Sequence, residues 1–182
     1  MRTKNRYAVV LSAVLAATLA TLAQNPSATG TQAATGSQAK TVRFDDSSTA
    51  TLVLQARGEG VQIYTCANDN GWAWKLKAPD ATLFDEQQHA IGKHFAGPTW
   101  RLDDGSEVQG KLLETRPQPG TIPWLILSAK STGGEGRLSR VGAVRRTDTQ
   151  GGLAPVTGCD AQHAGAEVRV PYSATYTFFD VN

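Results

Sequence analysis

The block Ile91-Gly92-Lys93-His94-Phe95-Ala96-Gly97-Pro98-Thr99-Trp100 is the most distinctive part of the chain, with an imidazole, a Gly-Pro turn and two aromatic rings in close succession. An imidazole titrates near neutrality, so it can serve as base, acid or metal ligand. Asp80, Asp85, Asp103 and Asp104 are carboxylates that could orient it. His94 with Asp80 or Asp104 is the pairing that a small hydrolase or lyase would use. The competing reading, which a single histidine without a nucleophile motif favours, is a hydrogen-bonded histidine beside a turn, with Phe95 and Trp100 in the core. His89 precedes His94 by an odd number of positions, which sends the two to opposite faces of a strand. Cys159 and His163 are only two potential ligands where zinc takes three or four from a protein. Neither pair makes a metal site, and no cofactor is expected.

Other candidates are weaker. Ser131-Thr132-Gly133-Gly134-Glu135-Gly136 is rich in glycine but lacks the Lys-Ser/Thr of a phosphate loop, and it reads as a hairpin tip. No Gly-x-Ser-x-Gly elbow occurs. The carboxylate pairs Asp45-Asp46 and Asp103-Asp104 are adjacent, so their side chains diverge on a strand and they read as turn formers. Trp72 and Trp74 share one strand face. Such a face can be an aromatic platform for a ligand, yet Trp72, Trp74 and Leu76 opposite Lys75 and Lys77 reads better as a core face. A cleft where aromatic and histidine side chains meet, with Trp72, Trp74, His94 and Trp100 as candidates, is the default ligand site.

The cysteines are Cys66 and Cys159, an even pair with nothing left over. In an oxidising compartment such a pair reads as one disulfide. The alternative, a reactive Cys66 thiol with a histidine base, would leave a thiol open to oxidation there.

These residues must be positioned by strands. The period along the domain is two, not 3.6. Thr51–Arg57 and Val61–Ala67 alternate on either side of Gly58-Glu59-Gly60, which predicts a hairpin with its turn at the glycines. Asn68-Asp69-Asn70-Gly71 and Asp103-Asp104-Gly105-Ser106 are turn signals. Asp80–Gly92 could be a short helix, but two short strands about Asp85-Glu86-Gln87-Gln88 suit the β context better. Ile122–Lys130 is apolar on both faces. Leu138–Thr147 alternates less cleanly, with Gly142 as a bulge candidate. Val168, Val170, Tyr172, Ala174, Tyr176 and Phe178 alternate with polar residues, and Pro171 calls for an edge position or a bulge. The expectation is an all-β antiparallel sandwich or barrel of about 8–10 short strands.

Composition agrees. Of 182 residues, 18 are Gly and 8 are Pro, while 19% are charged, the profile of a turn-rich globular domain. The net charge is +2, and three of the 18 basic residues, Arg2, Lys4 and Arg6, stand at the amino terminus. The rest is nearly neutral, which argues against a nucleic-acid partner. Those basic residues, the apolar run Ala8–Leu22 and the small residues Thr21 and Ala23 form the three parts of a secretion signal, residues 1–23. The run is short for a permanent span. Residues 24–40 read as a flexible low-complexity leader, and residues 41–182 as one β-domain.

Taken in order, Val61-Gln62-Ile63-Tyr64-Thr65-Cys66, Trp74-x-Leu76-Lys77-Ala78-Pro79-Asp80-Ala81, the His94 block, Asp104-Gly105-Ser106, Gly151-Gly152, Cys159 and Val170-Pro171-Tyr172 resemble the domain-of-unknown-function family 3455. The resemblance covers about residues 50–179. It implies a shared fold and an exported life among small proteins of bacteria and fungi. It carries no reaction and no catalytic residue. The resulting expectation is a periplasmic or extracellular β-domain with a small or surface-displayed ligand, or a structural role in the envelope. The alternative is the hydrolase or lyase built on His94.

Overall fold

Eight antiparallel strands follow one another around a closed barrel in the computed structural model, which describes residues 40–45 and 47–182. The secretion signal, all of the leader except Lys40, and Asp46 lie outside the described residues. The strands are β1 (Thr51–Asn68), β2 (Trp72–Phe84), β3 (Ala90–Phe95), β4 (Thr99–Leu102), β5 (Glu107–Gln118), β6 (Thr121–Gly133), β7 (Ala143–Gly151) and β8 (Glu167–Asp180). Each pairs with the next in sequence, and β1 closes on β8 from Thr51↔Asp180 to Thr65↔Glu167. No helix among the described residues is long and apolar enough to cross a membrane.

The alternation expected from the sequence is clearest in β8. Tyr172, Ala174, Tyr176 and Phe178 all enter the core, with Leu83, Trp100, Leu102, Val108, Leu127 and Val144 arriving from the other strands. Pro171 stands where the β7 ladder ends at Gly151↔Tyr172. Its carbonyl accepts from the Gly152 amide at 2.9 Å, and its nitrogen, which has no proton to give, faces the same side just past that end. The segment Asp80–Gly92 is the end of β2, a turn and the start of β3, not a helix.

Three expectations are corrected. Thr51–Arg57 and Val61–Ala67 are not a hairpin but one strand of 18 residues. Gly58 and Gly60 are there for space, not for a turn. A Cβ on Gly58 would lie 2.5 Å from the Tyr176 ring, and one on Gly60 would lie 2.1 Å from the Asp80 carbonyl oxygen. Trp72, Trp74 and Leu76 are not a core face. Trp72 is 37% and Leu76 59% exposed. A register shift beside Ile63 and Tyr64 breaks the alternation of β2 before it reaches the inward Ala81 and Leu83. Trp74 instead donates its indole N–H to the Thr157 carbonyl at 2.8 Å. Phe95 faces outward beneath the Arg101 guanidinium, because it neighbours the inward His94. In addition, β7 begins at Ala143 and not at Leu138, and its register irregularity falls between Thr147 and Gln150, where Asp148 adopts φ 50°.

Cys66 and Cys159 form the disulfide, with Cα atoms 5.3 Å apart. It ties the end of β1 to the loop between β7 and β8. The same junction is bonded by the Cys66 amide to the Ala166 carbonyl and by the Gly165 amide to the Cys66 carbonyl, both at 2.9 Å. On the outer wall Phe44 packs against Trp124, with ring centres 6.3 Å apart, so the apolar run of β6 is covered from outside as well as inside.

Candidate functional site

The inward row of β3 and β4 sets His94 opposite Trp100, while Ala81 of β2 pairs with His94 on its other side. The small Ala81 leaves room for the rings. Gly110 does the same behind Trp100, since a Cβ there would come within 3.1 Å of the indole. The imidazole and indole stack at 4.5 Å with 5° between planes, and the Tyr176 ring lies 5.0 Å from His94. Phe178 meets Trp100 edge-on at 5.9 Å. This aromatic floor is built by strand alternation alone.

His94 is only 2% exposed. Its Nδ1–H donates to the Thr99 carbonyl at 2.9 Å, a carbonyl being able only to accept. Nε2 therefore carries the lone pair. Burial, with a smaller push from the Arg146 charge, lowers the pKa of His94 from 6.5 to about 3, against the raising effect of the Thr99 bond. The sign of the consequence is definite. Between those values the unfolded chain binds a proton that the folded chain refuses, so stability is intact above pH 6.5 and falls as the pH drops toward 3. The expected loss is about 2 kcal/mol between pH 6.5 and pH 5, at ~1.4 kcal/mol per unit. Urea unfolding at the two pH values measures it, and a His94→Gln variant should flatten the slope. An unchanged slope would remove His94 as its source.

The His94 ring borders a cavity of about 660 Å³, whose wall is mainly aliphatic. Leu112, Ile122, Leu125 and Leu127 come from β5 and β6, and Leu153 and Ala154 come from the disulfide-tied loop. The polar groups on the wall are few. Gln62 is 2% exposed, and its side-chain oxygen has no hydrogen-bond partner among the described residues. Tyr64 donates its hydroxyl to the Gly152 carbonyl at 2.5 Å. Arg146 donates from Nε and Nη2 to the Pro123 carbonyl at 3.1 and 2.8 Å. Below them the Tyr172 and Tyr176 hydroxyls are 3.1 Å apart, and burial pushes both phenols up. The Arg146 charge opposes that rise at Tyr64, Tyr172 and Tyr176.

Among the described residues the structure does not bring His94 to a carboxylate. Asp80 is exposed and takes the Arg169 guanidinium at 2.5 Å, on the strand face opposite the inward Ala81. Asp104 accepts from the Ser106 hydroxyl and amide at 2.5 and 2.9 Å and from the Arg137 amide at 3.0 Å. Those bonds hold its pKa down to about 2. Asp85 pairs with His89 at 3.4 Å, and Asp160 with His163 at 2.7 Å. Among the described residues no group of three or more His, Cys, Asp or Glu side chains could hold a metal ion. Of the four candidate ligand-binding residues, His94 borders the cavity, while Trp72, Trp74 and Trp100 do not.

Gln62 and Arg146 did not stand out as types in a motif. Their positions carry a signal all the same. Gln62 shares strand parity with the inward Tyr64 and Cys66, and Arg146 with the inward Val144. A polar residue on the apolar side of an alternating run is a cavity candidate.

No curated protein and no solved structure matches the chain. A family model described as "Protein of unknown function (DUF3455)" matches residues 47–180, which include the whole barrel from β1 to β8. The chain therefore belongs to the DUF3455 family of proteins of unknown function.

Proposed function

We propose that this barrel is a binding module that takes a small, mostly apolar molecule into its cavity. The observation that carries the reading is the cavity of about 660 Å³, with an aliphatic wall and a few buried polar groups. That volume and that lining are typical of small-molecule sites. Support comes also from the floor, where His94 is held in place by its stack on Trp100 and its bond to the Thr99 carbonyl. The same proposal places the protein outside the cytosol, with residues 1–23 as the secretion signal and 24–40 as the leader. The Cys66–Cys159 disulfide fits an oxidising compartment.

The test uses N-phenyl-1-naphthylamine, an uncharged probe that fluoresces in apolar surroundings. It should bind the wild-type barrel, and Leu125→Trp, which fills the cavity from its wall, should weaken binding by at least about tenfold. The variant's thermal unfolding curve is the control for folding. Equal binding by a folded Leu125→Trp variant would place the probe elsewhere, and no binding to the wild type would remove the proposal.

A further inference from the structure

The cavity wall carries one positive charge with no negative partner among the described residues. Lys77 reaches the wall too, but it is paired with Glu167. No Asp or Glu borders the cavity, and Arg146 makes no ion pair among the described residues. Its two bonds to the Pro123 carbonyl use Nε and Nη2, and its remaining neighbour, the Tyr176 hydroxyl, is neutral. A half-buried guanidinium bonded only to neutral groups, with no counter-charge among the described residues, favours an anion. Gln62 adds an independent mark of a ligand. Its amide is buried at the same cavity with its oxygen unsatisfied among the described residues, and a half-turn of that amide presents its NH2, a donor, at the same place, where an acceptor in the cavity would pair with it. Most of the rest of the wall is aliphatic, which suits a ligand whose remainder is mainly apolar.

Building on the cavity-binding reading, we propose that the ligand is an apolar monocarboxylate, with Arg146 as its counter-charge and the Gln62 side-chain NH2 donating its second polar contact. One unmatched guanidinium balances one negative charge, which favours a carboxylate over a phosphate dianion. The planar guanidinium also suits two carboxylate oxygens. The polar end lies by β1 and β7, which supply Gln62 and Arg146, and the apolar part lies along β5 and β6, which supply Leu112, Leu125 and Leu127.

Displacement of N-phenyl-1-naphthylamine by dodecanoate, dodecanol and dodecylammonium decides the matter. In the wild type, dodecanoate should displace the probe at a concentration at least about tenfold lower than either of the others. Arg146→Gln should erase that preference while still binding the probe, and Arg146→Lys should keep part of it. If the probe binds but dodecanol competes as well as dodecanoate, the head-group assignment fails and the cavity reading stands. If Arg146→Gln keeps the full preference, Arg146 is not the counter-charge and the proposal is overturned. If the wild type binds no probe at all, both readings fail together. Should Arg146→Gln not fold, the wild-type ranking, with Arg146→Lys, still decides.

Discussion

Replacing Gly60 by alanine is expected to destroy the native barrel, with a loss of more than ~3 kcal/mol. A Cβ at this position would lie 2.1 Å from the Asp80 carbonyl oxygen, 2.5 Å from the Ala81 Cα and 2.8 Å from the Ala81 Cβ. The two nearest of these atoms are backbone, so no rotamer change relieves the clash. β1 and β2 would have to separate around the pair Gly60↔Ala81, which borders the His94 floor through Ala81↔His94. Gly133→Ala is the matched control, because nothing lies within 4 Å of a Cβ there. It should change stability by no more than ~0.5 kcal/mol. Urea unfolding followed by near-ultraviolet circular dichroism measures both, and similar small effects at the two glycines would contradict the steric argument.

The second large effect is expected from removing the disulfide. Cys66 and Cys159 are 93 positions apart, so the bond closes a long loop in the unfolded chain. Chain-entropy arithmetic for a loop of that size gives about 4–5 kcal/mol. The double variant Cys66→Ala, Cys159→Ala should therefore lose most of that amount without losing its strand content, since the ladders of the barrel do not depend on the bond. Cys66 is 2% exposed, so the lost sulfur also leaves a small void. The denaturation midpoint of the double variant, compared with the wild type in the presence and absence of reductant, reads the effect. A midpoint equal to that of the oxidised wild type would show that the bond adds nothing.

Much of the architecture is legible in the residues because a strand's alternation is a local property. Val168–Phe178, the turn at Asp103–Ser106 and the strands either side of Asp85–Gln88 could be read without knowing their neighbours. Gly58 and Gly60 could not. Their lack of a side chain serves partners far along the chain, Tyr176 and Asp80, and short-range pattern gives a glycine pair only one meaning, a turn. Trp72 and Leu76 failed for a related reason. Alternation tells which residues share a face, but a register shift in β2 and the position near the end of the barrel decide whether that face is inside. The disulfide followed from an even pair of cysteines and the oxidising compartment expected for them, with no geometry needed. The cavity is a product of closure, with Gln62, His94, Leu125 and Arg146 drawn from four different strands, and nothing local announces such a meeting.

The union of β1 with β8 also sets the order in which this molecule can acquire its shape. Residues near position 51 find their ladder partners near position 180, almost the full length of the described chain away. Such contacts reward the chain only after the largest loss of freedom has been met, so the last step is slow, in the range of roughly milliseconds to seconds for β-rich topologies. A nascent chain cannot take that step before β8 has been made. Its early strands must wait as open hairpins until then, so closure of the wall depends on the strand made last among the eight.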